Sequence, residues 1–460
     1  MASTLPAVLE GELSALLGDG WRADDDARAA HAGDGSRRVA LPLGVATPAD
    51  REQLATLVRA CRRHRVPLVA RGSATSSTGA ALAGDAIAVS FARMDRIVEI
   101  RADDRVAIVE PGVINGALQR ALAAHGLFWP PDPASADDCT VGGNLACNAG
   151  GPHAVKYGAT RDNVLGLTAV TGSGEIVRVG SATSKDATGY DLTHLIVGSE
   201  GTLALIVEAT LKLAPLPAAR ASLRALYADA AAAAAAVARI MAQPVAPSML
   251  EFMDAACIRL AREVGGADIA EAGALLMIEA DGDVDTLPFA VAALERAARG
   301  DGLLALDTAP DPAAGERLWA ARRSLSHAQR AIAPAKLNED VVVPVSRIPA
   351  LVAGIEALSR EFDIPIIAFG HAGNGNLHAN ILYDPDDAGQ RARAHAALPR
   401  LFALTLSLGG TLSGEHGIGV AKRAFMAQAF DAPTLAAMRA VKAALDPDGI
   451  LNPGKVLPAA

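Results

Sequence analysis

The polar and apolar positions between residues 47 and 71 predict a helix followed by a strand. Four apolar residues recur at the spacing of one helix face, namely Leu54, Leu57, Val58 and Cys61. The sequence Thr-Pro-Ala-Asp at 47–50 has the form of a capping box with proline at the first helical position, which predicts that the helix begins there. A short apolar run at 66–70 then predicts a strand.

Farther along the first half, strand and helix patterns alternate. Residues 86–113 have the pattern of a β-meander, and residues 115–125 predict a helix that ends at a glycine. Short apolar runs at 164–171 and 203–213 predict two further strands between glycine-rich loops.

The second half begins with a change in composition after Pro217. The alanine-rich run at 230–236 predicts a helix, because alanine is the best helix former and an apolar stripe continues from it. A strand at 275–279, a helix at 286–299 and a last helix at 433–445 follow. No internal repeat of fixed period is visible.

Composition limits the classes of protein that fit. With 460 residues, 51% of them hydrophobic, two domains or one large domain with a cap are expected. The net charge of −9 argues against nucleic acid and anionic membranes as partners, since both attract basic surfaces. The sequence predicts neither a transmembrane segment nor a secretory signal, so a cytoplasmic protein is expected. The four cysteines form no CxxC pair, which disfavours a thiolate metal site.

Two short segments near the C-terminus concentrate the groups that bind metals. His371 and His378 lie in a glycine-rich segment, and Glu415 and His416 stand together in another. Two histidines and one carboxylate are a common catalytic metal set that leaves a coordination position open, and the remaining histidine could act as a general base. Because His-x₆-His is not a standard spacing, the pattern alone supports a metal site and an ordinary histidine pair equally.

The residues around His378 have the alternation of a strand. Leu377, Ala379 and Ile381 would share one face, and His378 and Asn380 the other. An apolar face opposite a polar one is typical of a core strand that presents ligands to a cleft.

Three loops rich in glycine and hydroxyl residues, at 71–79, 140–151 and 198–202, have the composition of a phosphate cradle. None is a GxGxxG fingerprint or a Walker A motif. Singly each is more typical of an ordinary turn, but together they favour a cofactor enzyme.

At the level of motifs the chain resembles a known family. The segments 130–135, 140–144, 148–151, 157–158 and 189–192 are similar to flavoproteins of the vanillyl-alcohol oxidase type. The second half contains GHAGNGNLH, LSGEHGIG and ILNPGK and resembles the FAD-linked D-2-hydroxyacid dehydrogenases, a family that includes D-lactate dehydrogenase, the catalytic subunit of glycolate oxidase and D-2-hydroxyglutarate dehydrogenase. The resemblance covers residues from about 40 to 457.

The resemblance implies an α+β fold with a two-subdomain FAD-binding domain and an antiparallel-sheet cap that has helices on one face. The FAD-binding domain would span residues 1–216, and the cap, which would carry the metal site, residues 217–425. A C-terminal helical segment, 426–460, would return to the FAD domain.

The resemblance also implies the residues of the site. His371, His378 and Glu415 would bind zinc or manganese, with His416 as the catalytic base and as a substrate contact. Arg322 and Asn380 would hold the substrate carboxylate. The residues that would contact non-covalent FAD are Arg71, Gly72, Ser73, Ala74, Thr75, Ser76, Gly79, Pro131, Thr140, Gly142, Gly143, Asn148, Gly201 and Asn452.

The sequence departs from the family pattern at two places. Ala74, Ser76 and Ala80 stand where the diphosphate loop usually has glycine. Some relatives carry a substrate-binding lysine just before an aspartate and a strand-ending proline, whereas here Asn338 occupies that position and Lys336 is the nearest cation. Whether Lys336 or Asn338 contacts the distal end of the substrate is therefore left open.

The expected function is oxidation of a D-2-hydroxyacid such as D-lactate or D-2-hydroxyglutarate, with hydride transfer to flavin. Electrons would pass to an electron-transfer flavoprotein, a quinone or a cytochrome, because no nicotinamide motif is present; a homodimer is left open. Three alternatives are a glycolate oxidase-type subunit, a metal-independent flavin enzyme of the alcohol oxidase or ether-lipid synthase type, and a metal-dependent hydrolase without flavin. A non-enzymatic metal- or ligand-binding module is the fourth, and the number of cofactor-like loops argues against it.

Overall fold

The computed structural model describes residues 4–459, apart from the side chains of residues 312, 320, 321, 323, 324, 326 and 327. The chain divides into two units. The first unit contains Met1–Gly151, Gly158–Leu216 and Glu415–Ala460, and the second contains Pro152–Tyr157 and Pro217–Gly414. The division into a FAD-binding domain of residues 1–216, a cap of residues 217–425 and a C-terminal segment of residues 426–460 stays a prediction.

The first sheet of the first unit has the strand order β1-β2-β4-β3. Its strands are β1 Trp21–Arg22, β2 Gly44–Ala46, β3 Leu68–Arg71 and β4 Ile87–Ser90, with β4 parallel to both β2 and β3. The helices of this part of the chain are α1 Ala7–Leu17, α2 Asp25–Ala30 and α3 Arg51–His64.

The apolar face of α3 forms part of the core beside this sheet, as the sequence predicts. Leu54, Leu57, Val58 and Cys61 are all fully buried there. The predicted capping box at 47–50 is wrong, because α3 begins at Arg51 with Asp50 as its N-cap. The Asp50 side chain accepts a hydrogen bond from Gln53 N at 2.8 Å, and Gln53 Oε1 in turn accepts from Ala49 N at 2.9 Å. The capping residues are thus Asp50 and Gln53, three positions later than predicted.

The second sheet of the first unit is antiparallel, in the order β5-β6-β10-β8-β9. Its strands are β5 Ile97–Arg101, β6 Val106–Val109, β8 Val164–Thr171, β9 Ile176–Gly180 and β10 Ala204–Lys212. The predicted β-meander at 86–113 is therefore only half right. Its last two strands form a hairpin, but β4 belongs to the first sheet because it pairs in parallel with β3.

The remaining elements of the first 216 residues are short. They are α4 Asn115–Ala123, β7 Leu127–Phe128, α5 Val141–Cys147, α6 Ala154–Tyr157, α7 Leu192–Ile196 and β11 Ala214–Pro215. Of these, α6 belongs to the second unit.

The second unit is built on one antiparallel sheet of seven strands, in the order β15-β12-β14-β13-β17-β18-β16. The strands are β12 Ala219–Tyr227, β13 Met249–Asp254, β14 Ala274–Gly282, β15 Leu303–Thr308, β16 Ala335–Val342, β17 Ile366–His371 and β18 Asn376–Tyr383. Its helices, beside α6, are α8 Ala230–Ala242, α9 Ala255–Glu263, α10 Leu287–Ala298, α11 Pro312–Ala328, α12 Ile348–Phe362 and α13 Ala388–Ser407.

Strand β14 of this sheet is buried on both faces. Residues 274–281 of β14 are all buried, and their side chains point alternately to the two faces. A core cluster combines Met277 and Phe369 of the sheet with Cys257 of α9 and Trp319 of α11. The alanine-rich run is indeed helical, and Asp229 caps it by accepting from Ala232 N.

The segment after Gly414 belongs to the first unit and ends with α14 Met426–Ala429 and α15 Ala432–Leu445. Ile450 and Leu451 are part of the same core cluster as Leu68. Leu451 also lies in a parallel bridge beside Leu68, where β3 forms the edge of the first sheet. Within residues 4–459, no helix is both long and apolar enough to cross a bilayer.

Candidate functional site

The loop that follows β3 has the close packing and the unusual backbone expected of a phosphate cradle. An added Cβ at Gly72 would lie 2.2 Å from Thr140 Oγ1, so the first two glycine-rich loops are in contact and only glycine fits there. Ala74 has φ +55°, a left-handed conformation that suits glycine better. Ser73 and Thr75 are exposed, whereas Ser76 is half-buried and Gly79 is buried.

Arg71, at the end of β3, has an unpaired donor inside the protein. Its Nη2 donates to Gly33 O at 2.6 Å. Its Nη1 is buried and has no hydrogen-bond partner among the described residues. Burial lowers the pKa of Arg71, which shows how poorly the guanidinium is solvated. A cation with a spare donor beside this loop fits an anionic group such as a diphosphate.

The second glycine-rich loop turns into the short helix α5. Thr140 caps this helix, with its Oγ1 accepting from Gly143 N at 3.1 Å. An added Cβ at Gly142 would lie 2.5 Å from Cβ of Pro111, and the helix ends at Asn148 with φ +53°. Pro131 leads into this loop, and its carbonyl accepts a hydrogen bond from Asn115 Nδ2 at 3.1 Å.

The third loop holds a buried carboxylate that the sequence analysis did not select. Glu200 is 5% exposed and accepts from the backbone N–H groups of Ile418 at 2.6 Å and Gly419 at 2.8 Å. Burial raises the pKa of the Glu200 carboxyl, although these two donors act in the opposite direction. Glu200 therefore fixes the backbone two residues after His416. The feature of the sequence that could have identified Glu200 is its position between two glycines.

Asn452 also joins parts of the first unit that are distant in sequence. Its Nδ2 donates to Ala80 O at 3.0 Å and to Glu200 O at 2.6 Å. Lys455 donates to Asn452 Oδ1 at 3.1 Å and to Leu82 O at 3.0 Å. The structure thus brings the first loop, the third loop with Gly201, and the C-terminal ILNPGK segment together within one unit.

All four cysteines are free and carry their protons firmly. Burial raises the pKa of Cys61 and of Cys147 to about 12, and it also raises the pKa of Cys139 and Cys257. Since the thiolate is the reactive form of cysteine, none of the four is activated as a nucleophile, and non-covalent binding of FAD stays a prediction.

The three predicted metal ligands come together. His371, His378 and Glu415 each offer a ligand atom, and these atoms lie within 4.8 Å of one another. The two imidazole rings are 5.2 Å apart, nearly perpendicular. Glu415 is bonded to Gly414, whose backbone N–H donates to Asp340 Oδ2 at 2.8 Å. Two imidazoles and a carboxylate form a donor set that suits zinc or manganese.

A buried carboxylate, Glu251, supports this group and was missed by the sequence analysis. It is 1% exposed and pairs through Oε1 with His371 Nδ1. Its Oε2 accepts from Arg322 Nη2 at 2.7 Å and from Nε at 2.9 Å. Burial by itself would raise the pKa of Glu251, but the charges of His371 and Arg322 outweigh it and hold the pKa below its usual range. A lone acidic residue inside the apolar run MLEFM was the signal.

The predicted substrate contacts of β16 and β18 lie in register beside the metal group. Asp340 pairs with His378, Asn338 with Asn380, and Lys336 with Leu382. Because directly paired residues of an antiparallel sheet project to the same face, these pairs form a row that leads away from His378. The Oδ1 atoms of Asn338 and Asn380 are buried without a hydrogen-bond partner among the described residues, and Lys336 Nζ donates to Gln329 Oε1 at 2.9 Å.

Arg322 is placed differently from the simple carboxylate clamp that was expected. Besides its pairing with Glu251, its guanidinium lies over the Phe369 ring, 4.4 Å from the centroid. Its role as a substrate contact stays a prediction.

His416 follows the ligand Glu415 directly. Its Nε2 is 4.0 Å from Glu415 Oε1, and its backbone carbonyl accepts from Thr78 Oγ1 at 3.4 Å. The candidate base is therefore connected through its backbone to the first glycine-rich loop.

Two family models match the chain. Residues 42–180 match a FAD binding domain, and residues 216–456 match the C-terminal domain of FAD linked oxidases. The match to the second model covers more than half of the chain.

Two relatives of similar length are more than one-third identical to this chain over the aligned residues. The glycolate oxidase subunit GlcD of Bacillus subtilis is 38% identical over 418 residues, which cover 90% of this chain and 89% of that protein. A D-lactate dehydrogenase of Anaerostipes hadrus is 34% identical over 415 residues, 88% of this chain and 87% of that protein.

Solved structures with a similar fold confirm the predicted α+β flavoprotein architecture. A p-cresol methylhydroxylase with bound substrate superposes with a TM-score of 0.81 at 16% identity, covering 98% of this chain and 96% of that one. An alkyldihydroxyacetonephosphate synthase superposes with a TM-score of 0.75 at 20% identity, covering 98% and 85%. At these identities the likeness concerns the fold alone.

Proposed function

Because the chain belongs to the family of FAD-linked D-2-hydroxyacid dehydrogenases, we propose that it oxidises a D-2-hydroxyacid to the 2-oxoacid with the help of a divalent metal. The family makes it a FAD-linked oxidoreductase. The observation that carries the finer proposal is the group of His371, His378 and Glu415, which offers three metal ligands within 4.8 Å. D-lactate and D-2-hydroxyglutarate are the leading substrates.

The residues would divide the chemistry as follows. When bound, FAD would supply a hydride acceptor for C2 of the substrate, and a metal held by His371, His378 and Glu415 would supply a Lewis acid for the 2-hydroxyl oxygen. His416 takes the hydroxyl proton, a form of general base catalysis that contributes about 10²–10⁴-fold. Arg322 and Asn380 hold the substrate carboxylate. The proposed acceptor of the two electrons is not a nicotinamide but an electron-transfer flavoprotein, a quinone or a cytochrome.

The test is anaerobic bleaching of the flavin absorbance by paired D- and L-2-hydroxyacids. The proposal predicts rapid bleaching by at least one D-acid and much slower bleaching by its L-enantiomer, because the metal, the base and the flavin fix three directions around C2. Faster reduction by L-lactate than by every D-acid would overturn it. His416→Ala is expected to keep FAD and metal, measured by absorbance and elemental analysis, and to lose flavin reduction.

A second candidate is a glycolate oxidase-type subunit. The 38% identity to relatives with that name favours it, and so does the absence of a lysine at position 338. Including glycolate in the same panel of substrates decides between the two candidate functions, since glycolate is achiral and carries no group beyond C2. Reduction by glycolate faster than by any D-acid would support this candidate.

A further inference from the structure

The contacts that go furthest beyond the family assignment are those of Glu251, an ion pair with Arg322 and a hydrogen bond with His371. This side chain is 1% exposed, so its negative charge must be stabilised by protein groups and not by water. Its two oxygens go to different partners, Oε1 to His371 Nδ1 and Oε2 to Arg322. The cross-strand register fixes the first contact, because Glu251 of β13 and His371 of β17 are direct partners in the sheet.

The chemistry of the pair determines which nitrogen of His371 can bind a metal. A carboxylate whose oxygen accepts two hydrogen bonds from one guanidinium, as Glu251 Oε2 does from Arg322, is ionised and can only accept hydrogen bonds. The hydrogen between His371 and Glu251 therefore belongs to Nδ1, and the lone pair of His371 is left on Nε2. A histidine held in this way presents one defined atom to a metal, and such partners typically raise metal affinity.

The second oxygen orients Arg322 in the same manner. Its Nε and Nη2 are both occupied by Glu251 Oε2, at 2.9 Å and 2.7 Å, and the plane of the guanidinium is supported by Phe369. The arginine is thus restricted to one orientation, with the edge that carries Nη1 turned away from Glu251.

We propose that Glu251 is a positioning residue that couples metal binding to substrate binding, by holding the metal ligand His371 and the substrate arginine Arg322 through one carboxylate. The inference rests on the proposed function, since it takes His371 as a ligand and Arg322 as a substrate contact. It adds that neither residue can move without disturbing the other, because the buried charge of Glu251 needs both partners.

The experiment compares Glu251→Gln with Glu279→Gln in the full-length, FAD-loaded protein after metal removal. Glu279 is a matched control, a carboxylate 4% exposed on the same sheet that accepts from Ser248 Oγ at 2.9 Å, lies 3.3 Å from His153 Nε2, and forms no hydrogen bond or ion pair with a proposed metal ligand within the described part of the chain. Zn²⁺ affinity is measured by competition with a chromophoric chelator, and KM and kcat are measured separately with the best D-2-hydroxyacid.

In Glu251→Gln the Zn²⁺ dissociation constant is expected to rise about 10- to 100-fold, and KM about tenfold or more, as for the loss of a charged hydrogen-bond partner. Glu279→Gln should leave both quantities unchanged. An unchanged Zn²⁺ dissociation constant in a folded, FAD-loaded Glu251→Gln protein overturns the inference while the proposed function stands. A wild-type protein that binds neither Zn²⁺ nor Mn²⁺ overturns both.

Arg322→Gln provides a second measurement that does not depend on the folding of Glu251→Gln. It removes the ion pair between Arg322 and Glu251 and leaves the hydrogen bond between Glu251 and His371. Coupling predicts that it too weakens Zn²⁺ binding, by a smaller factor than Glu251→Gln. A role for Arg322 in substrate binding alone predicts a higher KM with an unaltered Zn²⁺ dissociation constant, and that result rejects the coupling.

Discussion

At the scale of single residues, the row of paired side chains on β16 and β18 orders the substrate contacts by their distance from the metal group. Two residues along a strand advance about 6.6–7 Å. Asn338 is therefore one step from the pair that contains His378, and Lys336 is two steps away. A substrate whose C2 is held at the metal meets the asparagine pair before it meets Lys336.

We expect Asn338→Lys to raise kcat/KM for D-2-hydroxyglutarate relative to D-lactate by about tenfold or more, because it places a cation within one step of the metal group. Lys336→Ala is the matched comparison. Lys336→Ala should change the activities on D-2-hydroxyglutarate and on D-lactate by the same factor, since Lys336 Nζ donates to Gln329 Oε1. A selective loss of D-2-hydroxyglutarate activity in Lys336→Ala would show instead that Lys336 reads the distal group.

Residue types, short motifs and the family resemblance were enough to select His371, His378 and Glu415 as proposed metal ligands, because metal chemistry restricts the choice to a few side chains. They could not find Glu251 or Glu200. A carboxylate gains such a role through its partners, and these stand 71 and 218 positions away in sequence, at Arg322 and Ile418. Pairing at that range depends on the register of the sheet and the path of the chain, which no local pattern encodes.

At the scale of elements, the turn after Glu415 and His416 is held by one buried carboxylate. Glu200 accepts from two successive backbone N–H groups, and Gly417 leaves room for it, since an added Cβ there would lie 2.6 Å from Glu200 Oε1. Removing this acceptor leaves two buried donors unpaired, which costs about 1–3 kcal/mol each.

This carboxylate makes stability depend on pH in a defined direction. Burial raises the pKa of Glu200 in the folded protein, so between the ordinary carboxyl pKa and the raised one the folded state binds more protons than the unfolded state. The free energy of unfolding therefore falls as pH rises through this window.

We expect the difference in Tm between wild type and Glu200→Gln to shrink as pH rises through the window and then to level off. Thermal unfolding followed by circular dichroism at a series of pH values measures it. A difference in Tm that grows with pH would mean that the two N–H donors outweigh burial and depress the pKa.

Elements were predicted well where packing follows from a local pattern, as in α3 and α8, and poorly where it depends on strand pairing. The run at 86–90 reads as the first strand of a meander, yet it pairs in parallel with β3 and β2. Its burial on both sides, with Ile87, Ala88 and Val89 all inaccessible, is typical of a central parallel strand. That distinction rests on partners 19 and 43 positions away, and the local sequence is compatible with both arrangements.

At the scale of the whole molecule, the residues expected to contact FAD all belong to the first unit, whereas two of the three metal ligands belong to the second. We therefore expect the two cofactors to be separable. Exhaustive chelation should abolish flavin reduction by the D-2-hydroxyacid and leave the flavin absorbance and the FAD content of the protein unchanged. Activity that survives chelation, with metal loss verified by elemental analysis, would refute the metal role.

The path of the chain through the first unit has a consequence for its synthesis on the ribosome. The edge of β3 is covered by Leu451, and Lys455 donates to Leu82 O across 373 positions. At about 5–20 residues per second, a nascent chain would wait about 20 to 75 seconds before these contacts could form. During that time an apolar strand edge is open to other chains, so this protein should depend on chaperones during translation more than its finished fold suggests.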